Sequence, residues 1–217
     1  MKVSVQRLSE REPNTNDERA AFRQAAYRFM FSCIKSIDND PTWEDEDLAD
    51  HEIPECKDRA NHEIPEGGII KADPLILPFI KDTLGKPYLP GHPEVVFNLS
   101  HSKNGYAAVA AALSREAAAV GVDIERRIPY HAALARKICS DSESRALERA
   151  ETMEQKGSLL GYFWSRKEAI LKCQGTGIRS SLSQVDTINI DNKRYVISEK
   201  QTEDYTLVAC MEKVSRL

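Results

Sequence analysis

Three carboxylates at readable spacings are the chain's best candidates for chemistry. Asp123 and Glu125 stand two apart in Val120-Gly121-Val122-Asp123-Ile124-Glu125, an alternating run that reads as a β-strand. Its valines and isoleucine face one way, whereas Gly121, Asp123 and Glu125 face the other. Two carboxylates on one strand face repel unless something positive lies between them; taken alone, the pair also fits the polar side of an edge strand. Glu168 belongs to Phe163-Trp164-Ser165-Arg166-Lys167-Glu168-Ala169-Ile170-Leu171-Lys172, a predicted helix with Leu160, Phe163, Trp164 and Leu171 as its apolar stripe. Glu168 and Lys172 sit one turn apart on the edge of that face. Lys167 falls inside the stripe, where an ammonium must find a partner or a cavity, or snorkel to water. Three such oxygen donors suit a hard cation like Mg²⁺, which keeps waters and substrate phosphates in its other positions. An anionic substrate then needs cations, and Lys167 and Lys172 are candidates. Asn98-Leu99-Ser100-His101-Ser102 adds a strand-end turn of hydroxyl, imidazole and backbone donors suited to a phosphate. The set points to metal-assisted chemistry on a phosphate compound, and spacing alone does not say which.

The elements that must position these groups are mixed. Residues 1–8 read as a short opening strand, and 17 to about 37 as an amphipathic helix capped by Asn16 or Asp17, with Arg19, Arg23 and Arg28 off its core face. Thr83 to Pro90 is a rigid loop around Gly85, and Val95 to Ser100 a strand. Tyr106 to Leu113 is so rich in alanine that helix and strand are equally open. Ser140-Asp141-Ser142-Glu143 has the form of a capping box opening a helix to about Met153. A second helix, about 158–174, carries Glu168 and is stopped by Gly175 and Gly177; strands follow at 194–197 and 205–211. Between 38 and 72 lies an acidic, proline-interrupted stretch in which His-Glu-Ile-Pro-Glu occurs at 51–55 and again at 62–66. Each His-Glu there precedes a proline turn rather than sharing a helix face, which argues against a metal site with Cys56.

The chain has 217 residues, 30 basic and 34 acidic, for a net charge of −4. That balance speaks against a general nucleic-acid or membrane binder. No apolar run nears the ~20 residues that span a bilayer, and Met1 to Val5 lacks a signal-peptide core. Five scattered cysteines fit a reducing cytoplasm better than a disulfide frame.

Four segments in order, Gly85-Lys86-Pro87-Tyr88, Phe97-Asn98-Leu99-Ser100-His101-Ser102, Gly121-Val122-Asp123-Ile124-Glu125 and Trp164-Ser165-Arg166-Lys167-Glu168-Ala169 with Lys172, resemble the motifs of 4′-phosphopantetheinyl transferases of the surfactin-synthetase-activating type. The resemblance is carried by residues 83–178. It implies an α+β fold of two similar α/β halves related by a pseudo-twofold, with antiparallel sheets, packed helices and coenzyme A in the cleft between them. Residues 1–92 would form the N-terminal half, with the acidic insertion near 38–72, and 93–217 the C-terminal half with the metal site. The implied activity moves the phosphopantetheine arm of coenzyme A to a serine of an apo acyl or peptidyl carrier protein, releasing adenosine 3′,5′-bisphosphate. Matched by position, Asp123, Glu125 and Glu168 would hold Mg²⁺ or Mn²⁺, and Ser100 and His101 the 3′-phosphate. Gly85, Lys86 and Pro87 would line the adenine pocket, Lys167 and Lys172 would address the pyrophosphate, and Arg23 and Arg28 would add phosphate contacts. Glu168 is then the expected general base and Lys172 the group that steadies the leaving bisphosphate, in a cytoplasmic monomer. The 38–72 insertion has no counterpart in the resemblance. An acidic carrier helix would meet Arg126, Arg127, Ile128, Tyr130 and Arg136. The alternatives are a divalent-metal phosphohydrolase or nuclease, which lacks its usual acid–lysine strand pattern here, and a non-catalytic carrier-binding module.

Overall fold

The computed structural model describes residues 1–10, 12–38, 80–177 and 181–215; the acidic stretch with its repeated His-Glu-Ile-Pro-Glu, Cys56 and the apolar run 75–79 lie outside them. Strand β1 (Lys2–Arg7) is followed by helix α1 (Asn16–Asp38), a short pair β2 (Ile80–Lys81) and β3 (Pro87–Tyr88), and strands β4 (Val95–His101), β5 (Tyr106–Leu113) and β6 (Ala117–Arg126). Helices α2 (Ala132–Ile138), α3 (Asp141–Arg149) and α4 (Met153–Gln174) come next, then β7 (Tyr195–Gln201) and β8 (Tyr205–Lys213). Two three-stranded antiparallel sheets result, one ordered β1-β5-β4 and the other β6-β8-β7.

Alternation explains how these elements stack. On β5, Val109, Ala111 and Leu113 join a core with Met30, Cys33 and Ile34 of α1. The alternate residues Ala108, Ala110 and Ala112 meet Val120, Val122 and Ile124 of β6 in a second core. β5 is therefore the middle strand of its sheet, covered on both faces, and small side chains keep both layers close. That resolves the helix-or-strand ambiguity of residues 106–113 in favour of strand. On its other face the second sheet carries α4, through Ala169, Ile170 and Cys173 against Val208 and Cys210.

The boundary expected at 92/93 is corrected by the pairing. β1 binds β5 along its whole length, from Lys2 opposite Ala111 to Arg7 opposite Tyr106, so β4 and β5 belong to the N-terminal sheet. The break between sheets falls instead at the turn 114–116, closed by Glu116 N–H to Leu113 O.

β6 is an edge strand of its sheet, and its outward backbone groups would be a liability if left bare. Side chains of β4 cover them: Asn98 Oδ1 accepts from Val122 N–H at 3.0 Å and Ser100 Oγ from Ile124 N–H at 3.4 Å. The two sheets are joined at the strand that carries Asp123 and Glu125.

Candidate active site

Helix α4 begins earlier than the apolar pattern indicates. Thr152 and Gln155 form a capping box, and Gly175, with φ 71°, ends the helix in the left-handed conformation that glycine adopts without strain. Gly121 decides how closely α4 approaches β6. A Cβ there would run into Ala169 O and the backbone N of Cys173, so only glycine lets the helix lie against the strand. Asp123, two residues on, and Glu168 and Lys172, on the helix edge, are thereby brought together.

Lys172 ties the group. Its Nζ lies 2.8 Å from Asp123 Oδ1, 3.9 Å from Glu168 Oε2 and 3.1 Å from Ser100 Oγ. The positive group that the paired strand carboxylates required is thus supplied from α4. Asp123 Oδ2 is buried and has no hydrogen-bond partner. Loss of water, with Asp123 and Glu168 nearby and Lys172 pulling the other way, pushes Glu125 up to about 7. Burial also raises Glu168, opposed by Lys172 and reinforced by Asp123. In both groups loss of water is the leading cause, and the Lys172 ammonium only partly offsets it. Among the described residues no three His, Cys, Asp or Glu side chains gather closely enough to enclose a cation. An open Mg²⁺ site needs only one or two carboxylates, however, and the hard donor set with a bare, buried Oδ2 fits such a site.

Lys167 does not face this site. Its ammonium is wholly buried, 2.7 Å from Glu143 Oε2, and also donates to the carbonyls of Leu182 and Val185. Glu143, equally buried, accepts from Ser140 N–H, Thr187 N–H and Thr187 Oγ1 as well. Lys167, expected to address the pyrophosphate, has its charge in this structure holding α4, α3 and the 182–187 segment together. The capping box at 140–143 was legible in the sequence, and its glutamate's second task was not.

On the N-terminal side a cavity of about 280 Å³ is lined by Glu12, Pro13, Arg19, Phe22, Arg23, His101, Ser102 and Lys103. The His101 ring packs edge-on to Phe22, with centroids 5.6 Å apart. Partial loss of water, then Lys172 and Arg23 nearby, hold its imidazole below the usual histidine range. Arg23 lines this cavity. Arg28 is not among the lining residues, whereas Arg19, one turn before Arg23, is; sequence reasoning missed Arg19 because a helix start fixes register poorly. Ser100, expected beside His101 at the phosphate, is 7 % exposed and its hydroxyl donates to Asp123 Oδ1 at 3.1 Å.

A second cavity, about 440 Å³, is lined by Asp82, Lys86, Pro87, Tyr88, Leu89, Pro90, Pro93, Val95, Val96, Phe97 and Ala118. Asp82 Oδ1 accepts from Leu84 N–H and Lys86 N–H and so shapes the turn around Gly85, whose φ is 87°. Lys86 Nζ donates to Cys173 O at 2.8 Å, placing a cation at the C-terminal end of α4 where the helix dipole favours it; burial lowers the Lys86 pKa. Of the basic edge, Arg126 and Arg136 are exposed. Ile128 and Tyr130 are partly buried against the α4 core, and Arg127 donates to Thr202 O.

Residues 119–213 match the family model described as the 4′-phosphopantetheinyl transferase superfamily. A 4′-phosphopantetheinyl transferase of Bacillus subtilis is 34% identical over 106 residues, covering 49% of this chain and 45% of the relative. The L-aminoadipate-semialdehyde dehydrogenase-phosphopantetheinyl transferase of Eremothecium gossypii is 31% identical over 127 residues, 56% of this chain and 45% of the relative. The 4′-phosphopantetheinyl transferase Sfp of Bacillus subtilis strain 168 is 31% identical over 100 residues, 46% of this chain and 42% of its own length. The chain thus spans about half the length of the curated relatives it matches. No helix among the described residues is long and apolar enough to cross a membrane. Over residues 119–213 the chain is similar to the 4′-phosphopantetheinyl transferase superfamily, and the relatives it matches include transferases of the Sfp type.

Proposed function

We propose that this protein transfers the 4′-phosphopantetheine group of coenzyme A to a serine hydroxyl of an apo carrier protein, releasing adenosine 3′,5′-bisphosphate. The observation that carries the reading is the junction of β6 and α4. Asp123 and Glu168 meet there through the Lys172 ammonium, at 2.8 and 3.9 Å, with Asp123 Oδ2 left bare. Asp123, through its bare Oδ2, together with Glu125 or Glu168 would hold Mg²⁺ or Mn²⁺, which when bound neutralises pyrophosphate charge.

The chain's own residues account for the rest. Arg19, Arg23, His101 and Lys103 would hold the 3′-phosphate in their cavity, and the Gly85-Lys86-Pro87 turn would receive the adenine. Coenzyme A then lies across the seam between the two sheets, each with a long helix on its outer face, in keeping with two similar halves acting as one monomer. The serine Oγ attacks the β-phosphorus; the Oγ–P bond forms as the bond to the bridging oxygen breaks. Glu168 takes the serine proton. A positioned general base of this kind is worth roughly 10²–10⁴-fold. Lys172, already within reach of Asp123 and Glu168, moves onto the departing phosphate and stabilises its charge. Arg126, the last residue of β6, and Arg136 of α2 are both exposed and are the basic residues offered to an acidic carrier helix.

The test is to incubate the protein with coenzyme A, Mg²⁺ and an apo carrier, then weigh the carrier. A gain of one phosphopantetheine supports transfer. Coenzyme A breakdown with no adduct supports the phosphohydrolase alternative, and neither product supports a binding module.

A further inference from the structure

We infer that Asp204, at the tip of the β7–β8 hairpin, is a positioning residue for the turn between β4 and β5: it ties that turn to the second sheet and so keeps Lys103 at the phosphate cavity. This rests on the reading of that cavity as the site of the 3′-phosphate.

Lys103 stands beyond the ends of both strands, in the turn Ser102-Lys103-Asn104-Gly105. The N-terminal half holds this turn from one side, where Leu8 N–H and Ser9 N–H donate to Gly105 O at 2.7 and 3.3 Å. The β7–β8 hairpin holds it from the other. Asn104 Nδ2 donates to the backbone oxygen of Asp204 at 2.8 Å, and the Tyr106 hydroxyl donates to Asp204 Oδ2 at 2.9 Å. Asn104 also reaches back, its Oδ1 accepting from the hydroxyl of Ser102, which lines the phosphate cavity beside Lys103. The Tyr106 ring lies against the ring of Tyr205, with centroids 4.9 Å apart, and the Arg7 guanidinium lies 5.5 Å from its centroid. Tyr205 belongs to the buried core between the sheets, so the contact sits where that core meets the turn.

A brace transmits position only if it is itself fixed. Thr202 Oγ1 accepts from Asp204 N–H and Tyr205 N–H at 3.2 and 3.1 Å, which closes the hairpin tip. Thr202 O in turn accepts from Arg127 Nε at 3.0 Å, just past the end of β6. Asn98 and Ser100 join the sheets along the strands, whereas Asp204 acts on the turn itself, next to Lys103. Its two bonds are solvent-exposed, and one such bond shifts an equilibrium by about 2–10-fold.

The experiment measures the affinities of purified full-length protein for coenzyme A and for 3′-dephospho-coenzyme A by calorimetry, with melting followed by circular dichroism. Asn104→Ala with Tyr106→Phe removes both bonds and keeps the ring contact; it should lower the preference for coenzyme A by about 5–10-fold and leave the dephospho affinity unchanged. Asp204→Ala breaks only the Tyr106 bond from the far side and should lower the preference by about 2–3-fold. Asp204→Asn, which keeps an acceptor oxygen for Tyr106, should restore it. Because Asp204 is exposed and has no atom in the turn, Asp204→Ala against Asp204→Asn decides the matter if the double variant does not fold. An unchanged preference in Asp204→Ala overturns the inference, as does an equal loss of affinity for both ligands, which marks a purely structural bond. A wild-type protein with no preference for coenzyme A over its dephospho form would instead remove the phosphate reading of the cavity, and the positioning role with it.

Discussion

Replacing Lys167 distinguishes a structural ion pair from a substrate contact. Lys167 and Glu143 are both 0 % exposed and 2.7 Å apart, and every other bond either makes is to the protein. Removing one partner strands the other charge in a dry interior, which costs about 3–5 kcal/mol. In Glu143→Ala the ammonium keeps only the carbonyls of Leu182 and Val185, and the donors of Ser140 and Thr187 lose their acceptor. In Lys167→Met the carboxylate keeps three donors but no countercharge, so the loss falls toward the lower end of that range. Stability of about 5–15 kcal/mol is usual for a native protein, so either change removes a large fraction of it. For a chain of this size about 2–4 °C of melting temperature corresponds to each kcal/mol, giving a fall of roughly 6–20 °C. Glu143→Ala with Lys167→Met removes both charges and should recover part of the loss, a coupling that a double-mutant cycle reads directly. The assay is thermal melting of all four proteins by circular dichroism, together with the KM for coenzyme A of each folded variant. The structure requires a lower melting temperature with KM unchanged. A Lys167→Met protein that melts like wild type but has a raised KM would refute the reasoning and return Lys167 to the pyrophosphate.

Three further outcomes follow from the same geometry. Gly121→Ala should lower both transfer activity and melting temperature, because the added methyl meets Ala169 O and Cys173 N and pushes α4 off β6; melting and kcat measured together check it. Arg23→Ala and Arg19→Ala should each reduce discrimination between coenzyme A and its 3′-dephospho form, whereas Arg28→Ala should not, since only the first two line the cavity beside His101. Glu125, raised to about 7 in the fold, should make the metal-free protein less stable as pH rises through that value. The sign is that of an acid whose folded pKa exceeds its unfolded one: its contribution is complete below about 4.3 and is lost by the time the folded group ionises. Melting in a chelator from pH 5 to 8 should therefore show a downward slope that Glu125→Gln reduces.

What the sequence made legible were local signals. Asp123 and Glu125 stand on a strand with the alternation that the run 120–125 predicts, and the capping box at Ser140 and Glu143 is formed. Gly175 ends α4 as its position indicates. Pairings between distant segments were not legible. The alanines of β5 carry no period because both faces are covered, so the pattern could not choose helix or strand. The sheet boundary was misjudged because β1 returns to β5 across about a hundred residues, an association no turn signal marks. Lys167 stood out as a charge on an apolar stripe, but its partner Glu143 was already accounted for as a capping residue 24 positions earlier. Nothing in the motif of Ser100 shows that its hydroxyl would meet Asp123, Ile124 and Lys172, which lie on β6 and α4.

The most direct test of the transferase reading is the intact mass of an apo carrier protein after incubation with coenzyme A and Mg²⁺, using wild type and Glu168→Ala side by side. The account predicts a carrier heavier by one phosphopantetheine with wild type and nearly none with Glu168→Ala, whose fold should remain intact by circular dichroism. A carrier left at its starting mass by the wild-type protein, or modified equally fast by Glu168→Ala, would contradict it.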